Sequence, residues 1–295
     1  MLNISIEDSK PDNQLCELSI EGPVATIRLN RAQKHNALNV QLIGEIITSL
    51  EWCAERSVAA QGALADAAGH PLLRVLVLTH AGRNFCAGAD IGWMRAAGSQ
   101  TAEENRADAS RLDNLFHSIW SHPCFTIATV NGVALGGGVG LLAACDQVIA
   151  DIGAKLALSE AKLGILPAVI GPYVYRRTGS AGGRRLAQLA GRISAAEAHR
   201  VGLVDLVSRS EQELQDSLTS IISEVLTTGP GAVAEAKSLF SSLDSWTGSE
   251  AELREFTLDV TTEMRASAEG QEGLSAFLQG RAPDWKVDWL VESDE

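Results

Sequence analysis

The chain has 295 residues, of which 45% are hydrophobic and 21% are charged, values typical of a soluble globular protein. Its formal net charge of −13 argues against nucleic acid as a partner, because no cluster of Lys and Arg offers the cationic surface that such binding needs. The five cysteines have no CxxC or CxxH spacing, which argues against a zinc site or a disulfide frame and predicts reduced thiols in the cytoplasm.

The first half of the chain predicts alternating strands and helices. The N-terminus has no basic segment followed by an apolar run, so no secretory signal is expected. Residues 15–20 and 24–29 predict a β-hairpin, and a helix with Asn39 as its N-cap is expected from residue 40 onward. The later pattern predicts a loop or helix extension, a strand, a helix and a strand, in that order, at 57–71, 75–79, 102–121 and 125–130.

The second half of the chain is predicted to be mostly helical. Apolar residues recur at helical spacing in several segments after residue 180, and only 204–207 has an extended pattern. Alternating strands and helices followed by a helical region predict an α/β fold with crossover connections.

Residues 130–146, VNGVALGGGVGLLAACD, hold five glycines and no Lys or Arg. The uncharged run 124–145 has the length of a membrane span, but its glycines favour a buried strand, turn and helix. A Walker-type phosphate loop is excluded because no Lys follows the glycines. The GxGxxA spacing of a dinucleotide site begins at Gly138, too far beyond the strand ending at Val130 to form that turn.

The remaining interpretation of the glycine run is an oxyanion hole. Glycines at the start of a short helix leave backbone N–H groups free, and the helix dipole attracts negative charge to them. A second donor is then needed from another loop, and the small-residue segment 85–91, FCAGADI, follows a predicted strand in the same way. The two segments together predict a site that stabilises a developing oxyanion.

The order of several motifs resembles the crotonase, or enoyl-CoA hydratase/isomerase, superfamily. The motifs are CAGADI (86–91), NGVALGGG (131–138), LSEAKLGILPA (158–168) and ISAAEAHRVGLVD (193–205), and the resemblance extends from about residue 15 to 285. It implies a ClpP-like spiral of ββα units over residues 1–209, containing the coenzyme A site. It further implies a C-terminal helical trimerisation region over 210–295, and hence a homotrimer or a hexamer.

Mapped onto this sequence, the resemblance implies which residues act. The oxyanion donors are the backbone N–H groups of Ala89 and Gly137, and Glu160 is the acid/base. Coenzyme A, present as part of an acyl-CoA thioester, is implied to contact Lys34, Ala37, Ala87, Asp90, Ile91 and Gly136. No metal site and no separate cofactor are expected.

Gly140 departs from the pattern of the family's hydratases, which carry a glutamate at that position as well as at the position of Glu160. The segments GGGVGL and LSEAKLGILPAVIGPYV resemble those of single-glutamate hydratases that act on branched glutaconyl-CoA esters. The leading hypothesis is therefore hydration of 3-methylglutaconyl-CoA or an isoprenoid-derived homologue such as isohexenylglutaconyl-CoA. Candidate partners for the distal carboxylate of that substrate are Tyr173, Arg176 and Arg177.

Other interpretations stay open. The same fold and the single glutamate also suit a Δ3,Δ2-enoyl-CoA isomerase, or a non-catalytic acyl-CoA-binding protein. Glu160 alone could be an ordinary helix-start glutamate beside a capping Ser159, and Asp90 is expected to buttress its turn through hydrogen bonds to the backbone. Surface or core positions are expected for His35, His117 and His122, and positions in the core or in an acyl pocket for Trp93, Met94, Leu166 and Tyr173.

Overall fold

The computed structural model describes residues 10–289. The predicted hairpin is confirmed, since strand β1 (Cys16–Glu21) pairs antiparallel with β2 (Val24–Leu29). The prediction about a secretory signal, and the outer ends of the ranges 1–209 and 210–295, involve residues 1–9 and 290–295, which lie outside the described residues.

The helix predicted after Asn39 is also confirmed. Helix α1 (Val40–Glu55) begins where the Asn39 side chain accepts a hydrogen bond from the Leu42 amide at 3.0 Å, so Asn39 is its N-cap. The segment 57–71 contains one short helix, α2 (Val58–Gln61), and otherwise forms a loop that returns to the next strand.

The strands of the described chain form two sheets. Besides β1 and β2, they are β3 (Val75–His80), β4 (Phe125–Val130), β5 (Val133–Leu135), β6 (Gln147–Asp151), β7 (Lys155–Ala157), β8 (Ile193–Ser194) and β9 (Leu206–Ser208). The larger sheet has the order β1-β2-β3-β4-β6-β9, and every pair except the hairpin is parallel. The smaller sheet has the order β5-β7-β8.

Helices follow the strands and close the chain, as an α/β fold requires. They are α3 (Ile91–Ala97), α4 (Ala102–Trp120), α5 (Gly137–Ala144), α6 (Gly171–Leu189), α7 (Ala195–Arg200), α8 (Glu211–Thr227), α9 (Pro230–Asp244), α10 (Glu250–Ala266) and α11 (Ala268–Gln279). Helix α3 was not predicted, and α6 begins before residue 180. None of the helices within residues 10–289 is both long and apolar enough to span a bilayer.

Two buried cations connect the C-terminal helices to the larger sheet. The Arg74 side chain, on a residue only 5% exposed, donates hydrogen bonds to four backbone carbonyls of the C-terminal region: those of Val225, Leu226, Thr228 and Trp285. The Lys237 ammonium on α9 donates to the carbonyls of His122 and Cys124 and lies 2.6 Å from the Asp146 carboxylate. The helices therefore pack in a fixed position against the core.

Candidate active site

The two segments predicted to supply oxyanion donors lie side by side. Cys86 forms a parallel bridge with Ala134 of β5, through Cys86 N–H to the Val133 carbonyl (3.1 Å) and Leu135 N–H to the Cys86 carbonyl (2.9 Å). A Cβ placed on Gly137 would lie 4.0 Å from the Ala89 nitrogen. Neither the Ala89 nor the Gly137 amide donates to an acceptor within residues 10–289, so both are available to a ligand oxygen.

Gly137 is the first residue of α5, and the residue before it explains why this helix begins with glycines. Gly136 adopts φ +49°, a conformation that other L-residues rarely adopt. A Cβ at that position would lie 2.9 Å from Glu160 Oε1, so a side chain there would displace the carboxylate. Gly136 thus lets Glu160 approach the start of α5, where the unpaired amides and the helix dipole favour negative charge.

Glu160 begins a short 3-10 helix (Glu160–Leu163), but it is not an ordinary surface residue. Its Oε2 atom is buried and has no hydrogen-bond partner among the described residues. Burial raises the pKa of this carboxyl above its ordinary value, because desolvation disfavours the charged form. Ser159 precedes the helix without capping it. A carboxyl with an unsatisfied oxygen and a raised pKa has the properties of an acid/base group.

Glu160, Ala89 and Gly137 line one cavity of about 440 Å³. Its other walls come mainly from α3, α4 and the segment 163–170, and they are mostly apolar, as in small-molecule binding sites. Of the residues predicted to contact coenzyme A, Ala87, Ile91 and Gly136 also line it. A larger cavity of about 570 Å³, at the end of α1, is lined by none of the predicted site residues.

Gly140 faces a filled space rather than a gap. A Cβ at this position would overlap the Cγ2 atom of Ile170 and lie 2.9 Å from Cε1 of Phe116, and both of these residues line the cavity. Any side chain at residue 140, including a glutamate, would therefore require Ile170 to move. Apolar side chains therefore fill the space that a carboxylate side chain at residue 140 would need.

We expect Gly140→Ala to destabilise the protein by about 2 kcal/mol, because an extra carbon in a packed core forces its neighbours to shift. Urea unfolding of Gly140→Ala, Ile170→Ala and the double variant measures this. Removal of the Ile170 side chain beyond Cβ opens the space, so the double variant should be about 1 kcal/mol more stable than the sum of the single changes predicts. Strictly additive effects would show that the two residues do not compete for the same space.

The predicted coenzyme A residues outside the cavity lie on a neighbouring loop. Lys34 is exposed and Ala37 is buried, and the His35 carbonyl between them accepts a hydrogen bond from the Ala87 amide at 3.0 Å. Arg31 joins this loop to the donor loop, since it donates at 2.8 Å both to the Ala37 carbonyl and to the Asp90 carboxylate.

Asp90 has a structural role, as its sequence context predicted. Its Oδ1 atom accepts hydrogen bonds from the Gly92 and Trp93 amides and so caps α3. The hydrogen bond from Arg31 to its Oδ2 atom lowers the pKa of Asp90, so the carboxylate stays ionised. A contact between Asp90 and coenzyme A stays a prediction.

The residues proposed to meet a distal carboxylate of the substrate are engaged elsewhere. Arg177 donates to the carbonyls of Ala143 and Cys145 at the end of α5 and pairs with Asp205. Arg176 lies over the Trp120 ring and pairs with Asp244 at 3.0 Å. Tyr173 is buried against the rings of Phe116 and Trp120. None of these three residues lines the cavity.

The other residues whose roles the sequence left open lie in the cavity lining, in the core or at the surface. Trp93, Met94 and Leu166 line the cavity, whereas His122 is buried and accepts a hydrogen bond from the Cys124 amide. Burial lowers the pKa of His122 to about 3, which keeps it neutral. His35 and His117 are exposed. Structural or surface positions thus hold for all three predicted histidines.

Sequence analysis missed several residues that shape the site. Asn36 is fully buried and donates to the carbonyls of Ala81 and Asn84, which joins the loop after β2 to the loop after β3. Asp108 on α4 lines the cavity and is 6% exposed, although it lies in a charged helical segment. For Asp108, the signal in the sequence was a charged residue in line with the apolar stripe of α4. For Asn36, the sequence alone did not show that the side chain would be buried.

A family model, solved structures and curated proteins all match this chain over most of its length. A family model described as enoyl-CoA hydratase/isomerase matches residues 19–288. The crystal structure of an enoyl-CoA hydratase from Shewanella pealeana aligns with a TM-score of 0.84 and 34% identity, over 93% of this chain and 97% of that chain. The 2,3-dehydroadipyl-CoA hydratase of Escherichia coli strain K12 is 32% identical over 273 residues, 89% of this chain and 95% of its own. The 1,2-epoxyphenylacetyl-CoA isomerase of the same strain is 29% identical over 272 residues, 90% of this chain and 96% of its own.

Proposed function

The chain belongs to the enoyl-CoA hydratase/isomerase family, and we propose that it adds water to the double bond of a branched α,β-unsaturated acyl-CoA with Glu160 as its single acid/base. The observation that carries this proposal is the shared cavity, which is lined by Glu160, whose Oε2 atom is buried without a hydrogen-bond partner among the described residues, and by Ala89 and Gly137, whose amides are free.

In the proposed mechanism, the thioester oxygen of the substrate accepts hydrogen bonds from the Ala89 and Gly137 amides. Ionised Glu160 removes a proton from water as the water oxygen bonds to the β-carbon, and the electron pair of the double bond moves toward the thioester. The resulting enolate is stabilised by the two amides, the type of interaction that typically contributes a factor of about 10²–10³ in rate. Protonated Glu160 then gives its proton to the α-carbon, which restores the carboxylate. The scheme needs no metal or redox cofactor, and their absence stays a prediction.

The branched acyl group is supported by sequence, through the segment after the glycine run that resembles hydratases of 3-methylglutaconyl-CoA esters. The structure explains why residue 140 cannot hold a second carboxylate, since Ile170 and Phe116 fill the space that its side chain would occupy. The prediction that the substrate carries a distal carboxylate, as in a glutaconyl ester, gains no support from the structure. The residues proposed to bind that carboxylate lie outside the cavity.

The direct experiment measures loss of ultraviolet absorbance of the conjugated thioester when the protein meets crotonyl-CoA, 3-methylcrotonyl-CoA or 3-methylglutaconyl-CoA. We expect hydration of at least one of these esters, with a hydroxyl at the β-carbon of the product confirmed by mass spectrometry. If none of these esters gains water, the hydratase proposal is wrong.

The pH dependence of kcat/KM follows from the raised pKa of Glu160. The base form is the ionised carboxylate, so kcat/KM should fall as the pH decreases through this pKa, which lies above the ordinary glutamate value of 4.5. A pH series with crotonyl-CoA at constant ionic strength measures the acidic limb. A profile that stays flat down to about pH 4.5 would contradict an acid/base role for this residue.

Isomerisation is the second candidate, and it is favoured by the single carboxylate and by the similarity to an isomerase. In that reaction Glu160 would take a proton from the α-carbon of a Δ3-enoyl-CoA and return it to the γ-carbon, through a dienolate on the same two amides. Incubation of 3-hexenoyl-CoA in D₂O distinguishes the candidates by NMR, since isomerisation moves the double bond without adding a hydroxyl. A protein that binds these esters without either reaction would be a non-catalytic acyl-CoA-binding member.

We also propose a homotrimer or a dimer of trimers, in line with the family resemblance. Large apolar side chains are exposed on α9, α10 and α11 and would be covered in such an assembly: Phe240, Leu258, Leu274, Phe277 and Leu278. Sedimentation velocity tests this directly, because a monomer would overturn it. The cytoplasmic location stays a prediction.

A further inference from the structure

The charges around the cavity constrain the acyl group. Its lining contains two carboxylates, Asp108 and Glu160, and no Lys, Arg or His among the described residues. A third negative charge in this space would face like charges in a region of low dielectric, where repulsion is weakly screened.

The Asp108 carboxylate is held in the cavity wall by hydrogen bonds from two neighbouring side chains. The residue is 6% exposed, and its Oδ2 atom accepts a hydrogen bond from the Trp93 indole N–H at 3.1 Å. Its Oδ1 atom accepts a hydrogen bond from Arg111, one turn further along α4. Both carboxylate oxygens are therefore engaged by donors, which fixes the position of the charge in the wall.

Arg111 offsets this charge only in part on the cavity side, because its guanidinium does not belong to the lining. Its side chain is 50% exposed and does not belong to the lining, whereas Asp108 does. The acyl group would thus approach the carboxylate of the pair and not its guanidinium. The cavity wall along α4 otherwise consists of the apolar residues Ala109, Leu112 and Phe116, with Asn105 at its exposed end.

We propose that Asp108 is a specificity-determining residue, which excludes acyl groups with a free distal carboxylate and so selects uncharged enoyl-CoA esters. This inference rests on the proposed function for the nature of the ligand. It replaces the glutaconyl-type acid predicted from sequence by a neutral ester, while the branched chain is retained.

The test uses saturated esters that bind without reacting. Hexanoyl-CoA and adipyl-CoA have the same number of acyl carbons and differ by the terminal carboxylate alone. Isothermal titration calorimetry should show that adipyl-CoA binds at least about threefold more weakly, because like charges repel at an effective dielectric of about 20 and Arg111 offsets only part of that repulsion. Asp108→Asn keeps an acceptor for Trp93 but removes the charge, so it should bring the two dissociation constants together.

The control is Asp113→Asn, which makes the same change of charge on an exposed part of α4 outside the cavity and should leave the ratio unchanged. Equal or tighter binding of adipyl-CoA by the wild-type protein would overturn the inference, even if Asp108→Asn does not fold. An unchanged ratio in folded Asp108→Asn would overturn it as well. Because these ligands do not react, failure of the hydration assay is a separate result.

Discussion

Glu160→Gln should lower kcat for hydration by about 10³-fold, since one carboxyl carries out both proton transfers in the proposed mechanism and general acid–base catalysis typically contributes about 10²–10⁴. The glutamine has nearly the same shape and keeps an oxygen near Gly136, but it neither accepts nor delivers the proton. Binding of hexanoyl-CoA should stay within about twofold of wild type, because the thioester contacts are backbone amides that the substitution does not touch. Stopped-flow absorbance and calorimetry measure the two quantities.

Stability provides the control for this variant. The folded protein holds Glu160 at a raised pKa, so wild type loses stability as the pH rises from the ordinary value of 4.5 through the folded pKa. Glu160→Gln lacks this loss and should be the more stable protein at pH 7, with the difference vanishing below pH 4.5. The exposed Glu224→Gln should change neither rate nor stability. Undiminished turnover by Glu160→Gln would contradict the proposed role of Glu160 and place the chemistry on another residue.

Arg74→Met should destabilise the protein by about 4 kcal/mol, the second large effect that we expect. The substitution removes the donors of four carbonyls near the C-terminal region, and hydrogen bonds to a charged group contribute about 1.5–3 kcal/mol each before water replaces any of them. At about 2–4 °C per kcal/mol, the Tm should fall by about 10 °C. Differential scanning calorimetry measures this change.

Arg200→Met is the matched control, because that side chain is 74% exposed and its ion pair within residues 10–289 is with Glu197 of its own helix. We expect a shift in Tm of less than about 2 °C for this variant, given the small contribution of exposed ion pairs. A similar shift for both arginines would show that Arg74 does not secure the C-terminal helices.

The local pattern of apolar, polar and capping residues was sufficient to predict most of the strands and helices. The strand 125–130 and the start of α1 at Asn39 are confirmed because alternation, a capping side chain and flanking polar residues act within a few positions. Helix α3 was missed because seven residues, IGWMRAA, are too few to show a helical period. Strand β5 was missed because its three residues pair with β7 only after the chain has folded.

The candidate site was predictable where it consists of backbone. The two donor segments could be proposed because small residues after strands are visible in sequence, and the family resemblance pointed to Ala89 and Gly137 within them. The structure brings both residues to one cavity. The space beside Gly140 was not predictable, because Phe116 and Ile170 reach it from segments that lie 24 and 30 positions away. The environment of Asp108 likewise depends on contacts with the side chains of Trp93 and Arg111. The sequence pattern alone does not predict these contacts.

The bridge between Cys86 and Ala134 sets the distance between the two donor loops. Two hydrogen bonds hold these segments at the spacing of neighbouring strands, so Ala89 and Gly137 are mounted on one rigid frame and move together. Thermal fluctuation would then shift the proposed oxyanion hole as a unit instead of opening it. Side chains around the cavity could diverge during evolution, and with them the acyl group and the reaction, while the geometry proposed to stabilise an enolate would persist.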